Sequence, residues 1–289
     1  MSDALTTPAD TYYGRELLKP PVWTWEVPAY FFVGGAAGAA ALIAAVARRT
    51  GGSDSLVRDA RWIAAAGAAL SPPLLISDLG RPERFLNMLR VFKVRSPMSI
   101  GAWTLVAFSN AAAASAFADL ATRATGGRLA ATVVADAADL LSASTGLVLS
   151  TYTGVLLGAT AIPVWSANAQ LLPLHFGASG LGSAVSALEL LGHRERALNV
   201  LGIGAALVES AMAAHVELSR DPRMAPMQAG DAATLSRVAG ILSGALPLLL
   251  RTFGGRSRNA RRLAAVSTLA GSALTRFAWV AAGRSSAGR

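Results

Sequence analysis

Eight stretches of about twenty residues with few charged side chains constrain this chain more than any other feature. Charged residues make up only 15% of its 289 positions, whereas a soluble domain carries about 25%. A helix of about twenty apolar residues spans the hydrocarbon core of a bilayer. The stretches cover residues 28–47, 62–77, 100–120, 130–157, 171–191, 198–216, 238–250 and 263–282; the second and seventh are shorter than twenty residues and the fourth is longer. The sequence therefore predicts an all-α polytopic membrane protein with eight transmembrane helices.

The charge and the cysteine content exclude several kinds of function. The formal net charge is +9, and in a membrane protein we assign it to loops that face the membrane lipid or a partner, not nucleic acid. The chain has no cysteine, so it carries no disulfide and no iron–sulfur cluster of its own. Residues 1–27 lack the pattern of a cleaved signal peptide, and we expect them to form an extramembrane arm.

The connection between the second and third stretches has a pattern of its own. Gly80 tolerates the positive φ of a helix end, and Pro82 disfavours helix before it. Ser96 followed by Pro97 is typical of a helix cap and first turn. The intervening Arg81–Arg95 segment carries five basic side chains among apolar ones. It is predicted to be an amphipathic, partly helical segment at the surface; the plainer alternative is a basic connector.

The distribution of basic residues predicts the orientation of the chain. Twelve arginine and lysine residues fall in loops on the side of the N-terminus, and thirteen fall on the opposite side. With Arg81–Arg95 set aside as functional, seven remain against thirteen. An even number of helices places both termini on one side. We therefore expect a multi-pass protein of the cytoplasmic (inner) membrane with both termini outside the cytoplasm.

Polar side chains from the first four helices fall on the N-terminal side of the membrane. They are Glu26, Tyr30, Asp78, Arg81, Ser99 and Tyr152. Oxidation of a lipophilic diol such as a quinol releases two protons, and it needs carboxylates or relays beside the ring hydroxyls. We therefore predict a shallow intramembrane pocket there and no metal site; for the two tyrosines, a place in the interfacial aromatic belt is the alternative. Catalytic roles are predicted for Tyr152, Asp78 and Glu26, and ligand-binding roles for Tyr30, Arg81, Ser99 and Tyr152.

The fourth stretch is polar along much of its length. Asp136 and Asp139 lie near the face opposite to Tyr152, with serine and threonine hydroxyls between them. Such groups are costly against lipid, so they must face the protein interior or a hydrated cavity. One interpretation is a proton relay through Asp139 and Asp136. The other is that both aspartates merely start a helix, whose N-terminus favours negative charge.

The second half of the chain is less informative. Glu209 and Arg276 lie at similar depths, and each alone would cost at least ~2.5 kcal/mol in the membrane. They predict a structural ion pair, with a proton relay as the alternative. His175 and His215 leave open a b-type haem and thus a cytochrome anchor subunit, although both lie at helix ends. A proton-coupled transporter is a further alternative, but the two halves show no convincing internal repeat.

Several motifs together resemble one family of membrane proteins. They are Trp23-Thr-Trp25, Tyr30-Phe-Phe-Val-Gly-Gly35, Leu74-Leu-Ile-Ser-Asp78-Leu-Gly-Arg-Pro82-Glu-Arg-Phe85, Ser96-Pro-Met-Ser99, Thr151-Tyr-Thr-Gly154 and Arg276-Phe-Ala-Trp-Val-Ala-Ala-Gly283. Over nearly its whole length the chain is similar to the NrfD family, the membrane subunits of polysulfide reductases. The combination of the aspartate–glycine–arginine–proline stop with the serine–proline restart is the most specific part of the resemblance.

The resemblance implies a fold, a cofactor and partners. It implies two four-helix bundles, a quinone site in the first, menaquinone or ubiquinone as the cofactor, and no haem. It also implies a docked ferredoxin-like iron–sulfur subunit, with a molybdopterin-type catalytic subunit beyond it. By position, Tyr152 matches the quinone-contacting tyrosine of the family, and Asp78 and Arg81 match its loop pair. Glu26 and Tyr30 fall where some members have an amide and a histidine, which is a departure from the family pattern.

The residues and the resemblance together predict a quinone-reactive membrane subunit of an oxidoreductase complex. It would exchange electrons between the membrane quinone pool and an iron–sulfur partner that docks on the Arg81–Arg95 side. By itself it would not be a complete enzyme. We expect a first bundle with the quinone site over residues 28–158, a second bundle over 171–282 and a C-terminal tail over 283–289.

Overall fold

The computed structural model describes residues 18, 20–124, 126 and 129–287, and within these ranges it contains helices and no strand. Most of the predicted N-terminal arm, residues 1–17 and 19, lies outside the described residues. Eight long helices follow one another: α1 (Glu26–Arg49), α2 (Asp54–Ser77), α3 (Pro97–Ala124), α4 (Leu129–Gly158), α5 (Leu171–Leu190), α6 (Arg196–Leu218), α7 (Asp231–Gly254) and α8 (Arg258–Ala287).

Short helical turns complete the fold. They are Pro82–Arg84 and Phe85–Met88 between α2 and α3, Pro163–Ser166 between α4 and α5, and Pro222–Met224 and Ala225–Gln228 between α6 and α7. Within α7, residues Ile241–Ala245 form a π-helical turn. α8 continues to Ala287 and so occupies most of the predicted tail over 283–289.

The predicted membrane helices are present in the described part of the chain. Seven helices are long and apolar enough to span a bilayer, and α2 qualifies as an eighth only together with Pro82–Met88, which is bent from it by 116°. The expected helix stop is confirmed, because Gly80 has a φ of +64° in this bend. The expected restart is confirmed as well, since the hydroxyl of Ser96 accepts a bond of 3.4 Å from the backbone N–H of Ser99.

The N-terminal part of α2 differs from the prediction. The helix begins at Asp54 and not near residue 62, so that it includes charged residues. Arg61 is 2% exposed and forms ion pairs with Asp119 and Asp139. These partners on α3 and α4 lie far away in the sequence, and they allow the charged turns of α2 to be buried in the protein.

The helices pack as two groups of four. α1 and α3 each contact α2 and α4, while α6 and α7 pack on each other, α5 packs on α6, and α8 packs on α5 and α7. α1 and α4 also contact α5 and join the groups. Glycines allow close approach, as in other membrane bundles: a Cβ on Gly38 would lie 2.3 Å from the carbonyl oxygen of Gly146 in α4. Likewise, a Cβ on Gly180 in α5 would lie 2.7 Å from the carbonyl oxygen of Gly35.

Candidate functional site: an intramembrane cavity in the first bundle

A cavity of about 250 Å³ lies where the N-terminal ends of α1 and α3 meet the C-terminal ends of α2 and α4. Alternating helix direction brings these four ends to one side of the membrane. The lining is mostly apolar, with two phenols and one carboxylate. It consists of Trp23, Val27, Tyr30, Phe31, Leu75, Asp78, Leu79, Met88, Met98, Gly101, Ala102, Tyr152 and Leu156.

Tyr30 on α1 and Tyr152 on α4 are the polar groups of the helical walls. They are 2% and 7% exposed. Neither phenol hydroxyl has a hydrogen-bond partner among the residues described by the structure, although Tyr hydroxyls usually find one when buried. Both hydroxyls are therefore available to a ligand. The predicted convergence of Tyr30 and Tyr152 on one pocket is what the structure shows.

Asp78 enters the cavity from the C-terminal end of α2. Its Oδ1 accepts hydrogen bonds from the backbone N–H of Thr24 at 2.8 Å and from the hydroxyl of Thr24 at 2.7 Å. The same hydroxyl is also in hydrogen-bond contact with Oε2 of Glu26. Because a hydroxyl has only one hydrogen, it donates to one carboxylate at a time. Thr24 therefore connects Asp78, which lines the cavity, with Glu26, which does not.

Two of the predicted binding residues do not line the cavity. Arg81 is exposed beyond the end of α2, and its guanidinium makes no ion pair with Asp78 or with any other described residue. Ser99 is buried, but its hydroxyl bonds to the backbone of the neighbouring loop, donating to the carbonyl of Val91 at 3.3 Å and accepting from the N–H of Lys93 at 3.0 Å. In the structure Ser99 holds the basic segment in place and does not reach the cavity.

The aromatic wall of the cavity includes Trp23, which lies before the start of α1. Trp23 lines the cavity and stacks on Trp165, with ring centroids 5.3 Å apart and an interplanar angle of 15°. Trp165 in turn donates from its indole N–H to the carbonyl of Trp279 at 2.8 Å. The wall is thus anchored to α8 through the buried side chain of Trp165.

A separate groove shares one lining residue, Tyr152, with the cavity. This groove of about 230 Å³ runs along the outer surface between α3 and α4. Its other lining residues are Pro97, Ile100, Leu147, Val148, Thr151 and Val155. Since the hydroxyl of Thr151 bonds to its own helix at Leu147, the groove offers mainly apolar surface.

The aspartates of the predicted proton relay form ion pairs at the other end of the first bundle. Asp139 is 1% exposed, bonds to Arg61 and accepts from the hydroxyl of Ser115. Asp136 pairs with Arg48 at 2.7 Å and is half exposed. The hydroxyls between Asp139 and Tyr152 bond to carbonyls of their own helix. The described side chains therefore form no continuous hydrogen-bonded path from Asp139 to the cavity.

The predicted ion pair in the second half is not formed. Glu209 instead contacts Nε2 of His175 at 3.1 Å and accepts from the hydroxyl of Ser243, in the π-helical turn of α7, at 2.8 Å. Arg276 donates to the carbonyl of Phe176 at 3.0 Å and lies over its ring at 3.9 Å. The prediction used only the depth of the two residues in the membrane, and depth does not show which residues of the other helices lie next to each charge.

The predicted docking segment is exposed and lies beside the cavity. In Arg81–Arg95 the apolar side chains of Leu86 and Val94 are 68% and 73% exposed. None of its five basic side chains forms an ion pair with the part of the chain that the structure describes. Met88 from this segment lines the cavity. The segment is therefore a mixed basic and apolar surface beside the cavity.

Together these features define a polytopic helical membrane protein with a largely apolar, partly polar cavity at one end of its first four helices. The chain matches the family model described as NrfD_2, polysulfide reductase, over residues 10–288. It therefore belongs to the NrfD polysulfide reductase family, which consists of membrane subunits of redox enzyme complexes. No curated protein was found to match the chain.

Proposed function

We propose that this protein is the quinone-reactive membrane subunit of an oxidoreductase complex and that the quinone ring binds in the cavity of the first bundle. The observation that carries the proposal is the pair of tyrosines, Tyr30 and Tyr152, which line the cavity together with Asp78. Their hydroxyls have no hydrogen-bond partner among the described residues. Two phenols and a carboxylate match the two oxygens of a quinone and the protons that they exchange.

The size of the cavity supports this ligand. An apolar cavity of ~150 Å³ binds benzene, so about 250 Å³ is enough for one substituted ring. The apolar groove between α3 and α4 shares Tyr152 with the cavity and would take the isoprenoid tail. A ring in the cavity and a tail in the groove would let the ligand enter from the lipid.

The residues of the chain would bind the ring and handle its protons. A quinol releases two electrons and two protons on oxidation. Tyr152 would donate a hydrogen bond to the ring oxygen and hold it in place, and Asp78 would accept the two protons one after the other, passing on the first before it takes the second. From Asp78 each proton would pass towards the membrane surface by way of Thr24 and Glu26, which already contact one another. The path is short because the cavity lies near the surface.

The electrons require a partner, because the chain has no cysteine to ligate an iron–sulfur cluster. We propose that a ferredoxin-like iron–sulfur subunit docks on Arg81–Arg95, with a molybdopterin-type catalytic subunit beyond it. An apolar core with a charged rim is typical of such interfaces. The alternative of a haem receives less support, since His175 and His215 hydrogen-bond to Glu209 and Asn168.

Replacement of Tyr152 by phenylalanine tests the proposal. Tyr152→Phe removes one hydroxyl and keeps the ring, so we expect the complex to assemble and quinone-linked turnover to fall at least ~10-fold, the equivalent of about 1.4 kcal/mol. Ser150→Ala is the matched control, because Ser150 lies on the same helix outside the cavity lining and its hydroxyl bonds to the carbonyl of Leu147 at 2.9 Å. Equal quinone kinetics in the two variants would remove Tyr152 from the site.

A further inference from the structure

We propose that a second cavity, at the opposite end of the helices, binds a phosphate group. The cavity has a volume of about 240 Å³ and lies between the C-terminal end of α5, the loop that follows and the N-terminal end of α8. Its lining includes Glu189, His193, Arg194, Arg258, Arg261 and Arg262. Four guanidinium groups thus face one carboxylate.

The inner wall of this cavity is a fixed arrangement of buried charges. Oε1 of Glu189 accepts from Nη1 of Arg251 at 2.8 Å and from Nε of Arg261 at 3.0 Å. The side chains of Glu189 and Arg251 are each 1% exposed. Two arginines therefore already outweigh the single carboxylate, and Arg261 is held rigidly by a further bond of 2.7 Å to the carbonyl of Arg194.

The outer wall consists of exposed arginines. Arg194, Arg258 and Arg262 are exposed, and none of them forms an ion pair or side-chain hydrogen bond with a residue that the structure describes. Arg258 and Arg262 lie in the first turns of α8, where the partial positive charge of the helix end disfavours cations. A bound anion would turn this unfavourable arrangement into a favourable one, because it would meet both the guanidinium groups and the helix end.

The position of the cavity points to a lipid as one source of the phosphate. Leu191 directly precedes the lining residue Gly192, and Leu263 directly follows Arg262; they are 61% and 55% exposed. Apolar side chains of membrane-spanning helices next to exposed arginines match the boundary between acyl chains and headgroups, where basic pockets bind anionic lipids. Free inorganic phosphate offers the same oxygens, so the experiment must separate the two sources.

The test uses the full-length protein in detergent and a double variant, Arg258→Gln with Arg262→Gln. The matched control is Arg196→Gln with Arg256→Gln, which removes two exposed arginines at the same end of the helices but outside the cavity lining. Binding of phosphatidylglycerol and of phosphatidylcholine is measured by native mass spectrometry. Protection by inorganic phosphate is measured as a shift in thermal unfolding.

We expect phosphatidylglycerol to bind in preference to phosphatidylcholine, and the cavity variant, but not the control, to bind it at least ~10-fold more weakly. Thermal protection by inorganic phosphate that is lost only in the cavity variant would also support the site and would identify the free anion as its ligand. The proposal would be overturned if the wild type, the cavity variant and the control bound phosphatidylglycerol equally and were equally protected by inorganic phosphate.

Discussion

The phenol ring of Tyr152 occupies the space that a side chain at position 101 would need. A Cβ built on Gly101 would lie 1.9 Å from Cζ and 2.1 Å from the hydroxyl oxygen of Tyr152. The absence of a side chain on α3 thus positions the tyrosine of α4 at the cavity. Gly101 is therefore needed to leave room for the ring of Tyr152, and helix propensity does not explain a glycine at this position.

The first prediction follows from this contact. Gly101→Ala should displace the Tyr152 ring and reduce quinone-linked turnover at least ~10-fold, while Tyr152→Phe in the same background should have little additional effect. Gly34→Ala is the control, since its Cβ would meet the ring of Tyr30 at 3.4 Å, which is ordinary contact. Turnover of the Gly101→Ala and Gly34→Ala variants is compared in the assembled complex. A fully active Gly101→Ala variant would show that the position of the Tyr152 phenol is unimportant.

A second prediction concerns Thr24, which holds the carboxylate of Asp78. Thr24→Val removes the hydroxyl bond to Asp78 and keeps the backbone bond, so we expect the KM for quinol to rise about fivefold, the equivalent of about 1 kcal/mol. Thr24→Ser keeps the hydroxyl and should behave as the wild type. If valine and serine give the same KM, the link between Thr24 and Asp78 does not contribute to the site.

A third prediction distinguishes the two aspartates of α4. Asp139→Asn breaks a buried ion pair and should destabilise the protein by about 3 kcal/mol, the low end for such pairs, because Arg61 keeps Asp119 as a partner at 2.7 Å. Asp136→Asn affects a half-exposed pair and should cost less than about 1 kcal/mol. Thermal unfolding of the two variants in detergent measures the difference. Similar midpoints would contradict a structural role for Asp139.

A fourth prediction addresses the docking segment. Reversal of Arg84, Arg90 and Lys93 to glutamate should release the iron–sulfur partner in mild detergent, because like charges then face the acidic surface expected on that partner. The control reverses Arg220, Arg223 and Arg284, which are exposed at the same end of the helices. Co-purification gives the stoichiometry of each complex. A partner retained by the first variant would place the interface elsewhere.

The helices, and the residues that share one end of the first four helices, could be predicted from the sequence, but rotation about each helix axis could not. Tyr30, Asp78 and Tyr152 were assigned to one side by topology, and they meet in the cavity. Ser99 lies on the same side, yet its hydroxyl bonds to the neighbouring loop. A step of two positions along a helix rotates the side chain by about 200°, so residues at nearly the same depth can face opposite directions. Depth in the membrane therefore identifies candidates for a site without showing which of them face it.

Contacts made outside regular helices were also missed. Thr24 lies before α1, where no periodicity indicates a direction, and its bonds to Asp78 span 54 positions of the sequence. The prediction of an ion pair between Glu209 and Arg276 was wrong for a related reason. Two charges at equal depth are expected to pair when their helices face each other, but His175 of α5 and Ser243 of α7 supply the partners of Glu209 instead.

The most direct test of the quinone site is photoaffinity labelling of the native membrane complex with an azidoquinone, followed by mapping of the labelled peptides by mass spectrometry. We predict labels near the C-terminal end of α2 and around Tyr152, lost when unlabelled quinone is present in excess. Labels confined to peptides from α5 to α8, under the same competition, would contradict a quinone site in the first bundle.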